Sequence, residues 1–224
     1  MNAELDHLVI AADSLEQGVA WCEATLGLTP GPGGEHPLMG THNRLFSLAH
    51  ERFPRAYAEI IAINPKAPPP GRTRWFDLDD AALQAAVREA PRLVHFVART
   101  PDAGAALKAL AHHGIDRGAL LPALRETPQG TLRWQISVRE DGQRLFYGAL
   151  PTLIEWGPVH PADALPDSGV RLQSLRLAHP RADDLRAAHA ALGLEGVAVD
   201  PGTPNLAATL LTPRGLVTLE SKGL

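Results

Sequence analysis

Apolar and polar positions follow a pattern that recurs along the chain. Leu5 to Ala12 reads as a strand, with Leu8 and Ile10 on one face and His7, Val9 and Ala11 on the other. Ser14 opens a helix, and Gln17 three residues on completes a capping box. Leu15, Val19, Cys22 and Leu26 form its apolar stripe, and Gly27 suits a left-handed C-cap. The stretch Gly31 to Gly40, opened by Gly31-Pro32-Gly33-Gly34, reads as a plain loop. Thr41 to Ala49 and Tyr57 to Ile63 read as strands.

The order returns from Arg92. Leu93 to Arg99 predicts a strand, Thr100 and Pro101 an N-cap and N1 proline, and Leu107 and Leu110 the inner face of a helix ended by Gly114. Leu120 to Glu126, Thr131 to Arg139 and Thr152 to Trp156 follow as strands. A shorter third copy has strand Arg171 to Ala178, helix Asp183 to Leu192, and strands Val197 to Val199, Leu206 to Thr212 and Leu216 to Ser221. The string Ala24-Thr25-Leu26-Gly27-Leu28 recurs as Ala190-Ala191-Leu192-Gly193-Leu194. The fold class is therefore α+β, built from repeated βαβββ units. The first unit is residues 1–63, a linker with a short helix (Asp79 to Glu89) is 64–91, the second unit is 92–161, and a third, degenerate unit is 170–224.

Composition narrows the function classes. The chain has 224 residues, 45% apolar and 21% charged, with a net charge of −4. That is an ordinary globular balance without the basic footprint of a nucleic-acid or anionic-membrane binder. A single cysteine, Cys22, excludes an internal disulfide or a cysteine zinc site. There is no apolar run of membrane-spanning length and no signal-peptide core, so a cytoplasmic location is the expectation.

The chemistry lies on the opening and closing strands of the first two copies. These carry His7 with Glu59, and His95 with Glu155, each on an otherwise mostly apolar strand. A buried carboxylate is costly unless it is paired, hydrogen-bonded or metal-bound. A lone histidine on such a strand is more often a hydrogen-bonded core residue than a ligand. The same pairing in two copies instead points to a divalent cation: Ni, Co, Zn, Mn or Fe. In the third copy Ser174 and Glu220 occupy the matching places, and Arg176 or another base is expected to neutralise Glu220. On strand Thr131 to Val138, Leu132, Trp134, Ile136 and Val138 form an apolar face. If that face packs on the helices, Arg133 and Gln135 line a cleft opposite Asn43 as substrate-binding residues, with Arg133 suited to a carboxylate or phosphate.

The stretches Leu5-Asp6-His7-Leu8-Val9, Gly40-Thr41-His42-Asn43, Tyr57-Ala58-Glu59-Ile60-Ile61 and Leu153-Ile154-Glu155-Trp156 resemble the vicinal oxygen chelate superfamily, in its glyoxalase-like branch. The resemblance covers Ala3 to about Pro161 and implies that two units pair into an open curved barrel. It implies a metal in the cleft held by His7, Glu59, His95 and Glu155. The activity it implies is isomerisation, epimerisation or lyase chemistry on a small oxygenated compound chelated through neighbouring oxygens, with Glu59 and Glu155 as catalytic acid–base groups. Two other readings are a non-catalytic small-molecule binding or sequestration protein and an Fe(II) ring-cleaving dioxygenase. The third copy is expected to pack on the paired units or on its counterpart in a homodimer.

Overall fold

A computed structural model describes residues 2–127 and 130–224. The first unit comprises β1 (Glu4–Ala11), α1 (Leu15–Thr25), β2 (Gly31–His36), β3 (Thr41–Ser47) and β4 (Tyr57–Ile63). The linker supplies α2 (Ala81–Glu89). The second unit comprises β5 (Arg92–Arg99), α3 (Ala103–His112), β6 (Ala119–Thr127), β7 (Gly130–Val138) and β8 (Thr152–Trp156). Then come β9 (Arg171–Ala178), α4 (Ala182–Leu192), β10 (Val197–Asp200), β11 (Asn205–Thr212) and β12 (Gly215–Glu220).

The first two units share one eight-stranded sheet in the order β2-β3-β4-β1-β5-β8-β7-β6. Each contributes its opening strand to the centre, β1 against β5, and pairs it in parallel with its closing strand. The sheet curls into a half-barrel with β2 and β6 at its two edges. Strand β1 is buried from Leu5 to Ala11, as a central strand covered on both faces should be. Leu8, Ile10, Ile60 and Phe96 face the helices, whereas Val9, Ala11, Ile61 and Val94 face the barrel interior. The capping of α1 follows its sequence signal: Ser14 Oγ accepts from Gln17 N–H at 3.1 Å, and Gln17 Oε1 accepts from Asp13 N–H at 2.9 Å. At α3 the cap is Asp102 rather than Thr100, with Oδ1 accepting from Ala105 N–H at 2.8 Å.

Two features depart from the expected pattern. Gly31 to His36 forms an edge strand, held by antiparallel pairing with β3. The third unit keeps the order of elements along the chain but winds its own sheet differently, as β10-β9-β11-β12. There the opening strand lies between the second and third strands, not beside the fourth. Glu220 is exposed and accepts from Asn205 Nδ2–H at 3.0 Å, while Arg176 pairs with Asp200 at 2.7 Å. The expected Arg176–Glu220 neutralisation is therefore replaced by an amide contact. The apolar side of this unit (Leu172, Leu185, Leu206 and Leu210 among others) continues the helix-side core of the large sheet. The third unit thus packs on the paired units.

The linker also has a structural task. Trp75, Phe76, Leu78, Leu83 and Val87 enter the barrel-side core beside Val9 and Ile61. They fill part of the concave side and leave a cleft beside them. Among the described residues no helix is long and apolar enough to cross a membrane.

Candidate functional site

Strand register brings the first polar pair together. On β1 and β4, Val9 is the partner of Glu59 and His7 the partner of Tyr57, so His7 and Glu59 share the concave face. Both are 5% exposed. His7 Nε2 lies 3.6 Å from Glu59 Oε2. Its other nitrogen, Nδ1, donates to Asp6 Oδ1 at 2.6 Å. Asp6 is fully buried, and its Oδ2 accepts from His160 Nε2–H at 2.8 Å and Trp156 Nε1–H at 3.1 Å. Asn43 Nδ2–H donates to Glu59 Oε1 at 2.6 Å, and Asn43 Oδ1 accepts from Gly34 N–H at 2.7 Å. His36 completes the cluster. Its Nδ1 contacts Thr41 Oγ1 at 3.0 Å, and its Nε2 lies 3.8 Å from Glu59 Oε1. The Tyr57 ring stacks on His7 at 4.6 Å.

These contacts fix the charges. Burial works against the imidazolium of His7, but the hydrogen bonds and charges of Asp6 and Glu59 outweigh it and raise its pKa to about 9. Burial likewise pushes both carboxyls up, yet His160 and His7 hold Asp6 far below the carboxylate range. His7, His36 and Asn43 lower Glu59. Burial dominates at His36 and brings it down to about 4. At neutral pH the cluster is a row of Asp6 carboxylate, His7 imidazolium and Glu59 carboxylate, with His36 neutral beside it.

The row sits in a small recess of about 40 Å³, bordered by His7, Asn43, Glu59 and Arg125. The recess shares His36, Trp75, Trp134, Ile136 and Trp156 with a larger cleft of about 730 Å³. That volume suits a drug-sized ligand. The first unit therefore supplies most of the polar end, and the second supplies much of the apolar wall. Strand β7 turns Trp134 and Ile136 toward this concave side, not toward the helices, because the barrel interior is itself an apolar layer. Arg133 and Gln135 are exposed residues at the cleft border. Of the three residues expected to bind substrate, only Asn43 is in the polar cluster.

The second polar pair does not mirror the first. Val97, two residues after His95, has Thr152 as its partner on β8, so Thr152 occupies the position that Glu59 holds in the first unit. Glu155 follows Ile154, the partner of Arg99, and its side chain falls on the helix side. There Glu155 Oε2 accepts from Ala103 N–H at 2.9 Å, at the start of α3. His95 is fully buried and saturated. Nε2 accepts from Thr152 N–H at 3.1 Å, so Nδ1–H is the donor to Gly148 O at 2.9 Å. Arg117 Nη2 also approaches His95 Nε2, at 3.4 Å, and burial with the nearby arginines keeps this histidine neutral.

Asp6 falls outside the sequence argument, which read His36 as a lid contact or solvated loop residue and His160 as a loop residue. His36 lies in the stretch read as loop, and His160 follows the closing strand in a Pro-rich connection. His36 carried no sequence signal, because the hairpin that brings it beside Thr41 and Asn43 forms only by edge pairing of β2 with β3.

The glyoxalase-like domain family matches residues 5–193. The chain belongs to this family. Among solved structures, this glyoxalase-like protein is similar to a hypothetical protein from Staphylococcus aureus (14% identity, TM-score 0.61, covering 90% of this chain and 87% of that one). It also matches a Streptomyces coelicolor methylmalonyl-CoA epimerase solved with 2-nitronate-propionyl-CoA (16% identity, TM-score 0.44, 71% and 99% covered). A Mycobacterium tuberculosis methylmalonyl-CoA epimerase matches at 16% identity and TM-score 0.39, with 71% and 91% covered. No curated protein matches the sequence. At these identities the likeness concerns the fold alone. The four-residue metal set implied by the superfamily does not fit the glyoxalase-like chain as folded. Both nitrogens of His95 are engaged by the protein, and Glu155 serves the α3 terminus. Among the described residues no group of three or more His, Cys, Asp or Glu side chains is arranged to hold a metal ion.

Proposed function

We propose that this glyoxalase-like protein is an enzyme that moves a proton on a small oxygenated compound whose apolar body occupies the cleft. The observation that carries the reading is the buried Glu59 carboxylate 3.6 Å from His7 Nε2 in the recess that adjoins that cleft. The compound's carbonyl oxygen takes a hydrogen bond from His7 Nε2–H. Glu59 then loses its counter-charge to the substrate, and its proton affinity rises toward that of a working base. It accepts the proton from the carbon next to the carbonyl. The C–H electron pair moves into the carbon–carbon bond, and the carbonyl π pair moves onto oxygen, where His7 Nε2–H stabilises the charge. Return of the proton to the same carbon on its other face, after the enolate turns over against Glu59, gives epimerisation; return to the neighbouring carbon, with the donor carbon's hydroxyl proton passing to the enolate oxygen, gives isomerisation. Asn43 orients the base through its 2.6 Å bond to Oε1.

Hemithioacetals and epimerisable 2-substituted acids in D₂O, followed by proton NMR, test the reading. Wild-type protein should exchange a C–H of at least one of them, and Glu59→Gln should slow that exchange by about 10²–10⁴-fold. Exchange at the wild-type rate in Glu59→Gln would refute Glu59 as the base. The second reading, sequestration without turnover, is favoured by the tryptophan-lined wall of the cleft. It predicts saturable binding with no exchange by either protein.

A further inference from the structure

We infer that Arg125 is the anion-recognition residue of the cleft, and that the compound taken up there is a monocarboxylate carrying an apolar body. This rests on the cleft being a ligand site, as proposed above. Arg125 is half-buried on β6 and borders the same recess as Glu59, His7 and Asn43. Its backbone pairs with Leu132 in the β6–β7 ladder, but among the described residues its guanidinium makes no ion pair or hydrogen bond, although it carries five N–H donors in a fork that matches a carboxylate. Glu59, the anion in the same recess, is satisfied elsewhere: it accepts from Asn43 and faces His7.

The chain also leaves room for this arginine. Its Nη1 lies over the backbone of Gly34 so closely that a Cβ at that position would come within 2.0 Å of it. Since β2 and β6 are the two edges of the eight-stranded sheet, Arg125 reaches across the seam of the half-barrel to the opposite edge. Its charge is felt in the recess, where it opposes protonation of His36. A single unpaired guanidinium in the same recess as the Glu59 carboxylate suits one added negative charge better than two.

The outer cleft describes the rest of the molecule. Leu38 and Leu124 are 49% and 59% exposed at the cleft border. Together with Trp75, Trp134 and Trp156 they offer apolar surface that a ligand body would cover. An acid seated on Arg125 therefore places its apolar portion against tryptophan and leucine, and its α-carbon close to the recess that holds Glu59.

Matched acid and amide pairs separate the two claims. Isothermal titration with 4-phenylbutyrate against 4-phenylbutanamide, and with decanoate against decanamide, should show the acid binding about tenfold or more tighter to wild-type protein. Arg125→Gln should abolish the preference, weakening the acid far more than the amide. Arg125→Lys should retain part of it. Equal affinity of acid and amide for wild-type protein, or a preference that survives in Arg125→Gln, overturns the assignment of Arg125 and leaves the cleft as a site for neutral compounds. Absence of binding by every acid and amide overturns the cleft reading and this inference with it.

Discussion

Asp6→Asn should unfold with about 3–5 kcal/mol less free energy than wild-type protein, the loss typical of breaking a buried charge pair from one side. The carboxylate of Asp6 accepts from His7, His160 and Trp156 with no solvent contact. Asparagine has one acceptor oxygen and turns an NH₂ group toward donors, so at least one of the three is left unpaired in the interior. The loss has a pH signature. The folded pKa of His7, about 9, lies above its ordinary value of 6.5. Its contribution is complete below about pH 6.5 and disappears as the pH rises through 9, amounting to roughly 3 kcal/mol. Asp6 and Glu59 have lowered folded values, so their contributions are present above the ordinary carboxylate range and vanish as the pH falls through and below it. Urea unfolding of wild-type protein should therefore show a falling midpoint between pH 6.5 and 9. The slope should be much reduced in Asp6→Asn. Equal slopes would mean that Asp6 does not hold the charge of His7.

His95→Leu should cost a comparable amount, about 3–5 kcal/mol, for a different reason. The imidazole satisfies Gly148 O and Thr152 N–H and lies against Arg117, all in the interior. Leucine fills the volume but leaves the carbonyl, the amide and the guanidinium without this partner. Binding in the cleft should persist in the folded fraction at low temperature, because His95 borders neither the cleft nor the recess. A His95→Leu protein that unfolds at the wild-type urea concentration would contradict this structural role.

Much of this architecture was legible in the chain. Buried strands such as β1 and β5 are mostly apolar runs interrupted by Asp6, His7 and His95, and α1 announces itself through Ser14 and Gln17. Strand β2 was not legible, because Gly31-Pro32-Gly33-Gly34 has no strand propensity and forms one only by pairing at an edge. Nor was the winding of the third unit, since periodicity gives elements but not their order in a sheet. The site divides in the same way. His7 and Glu59 could be found because a buried strand carboxylate near a histidine is rare chemistry, and Asn43 through its place opposite Arg133 in the matching copy. The apparent match of His95 with Glu155 arose because β8 carries its acid three residues beyond the equivalent register position, which Thr152 occupies. An odd shift of that kind turns a side chain to the opposite face of the sheet, and no count along a single strand shows it.

The charge row of Asp6, His7 and Glu59 is the basis of the functional account, and imidazole ¹⁵N NMR across a pH titration observes it directly. With signals assigned against a His7→Gln variant, His7 should remain protonated on both nitrogens until about pH 9, and His36 should stay neutral down to about pH 4. A His7 that loses its proton at the ordinary 6.5 would show that Glu59 does not face an imidazolium at neutral pH, and the proposed proton transfer would fall with it.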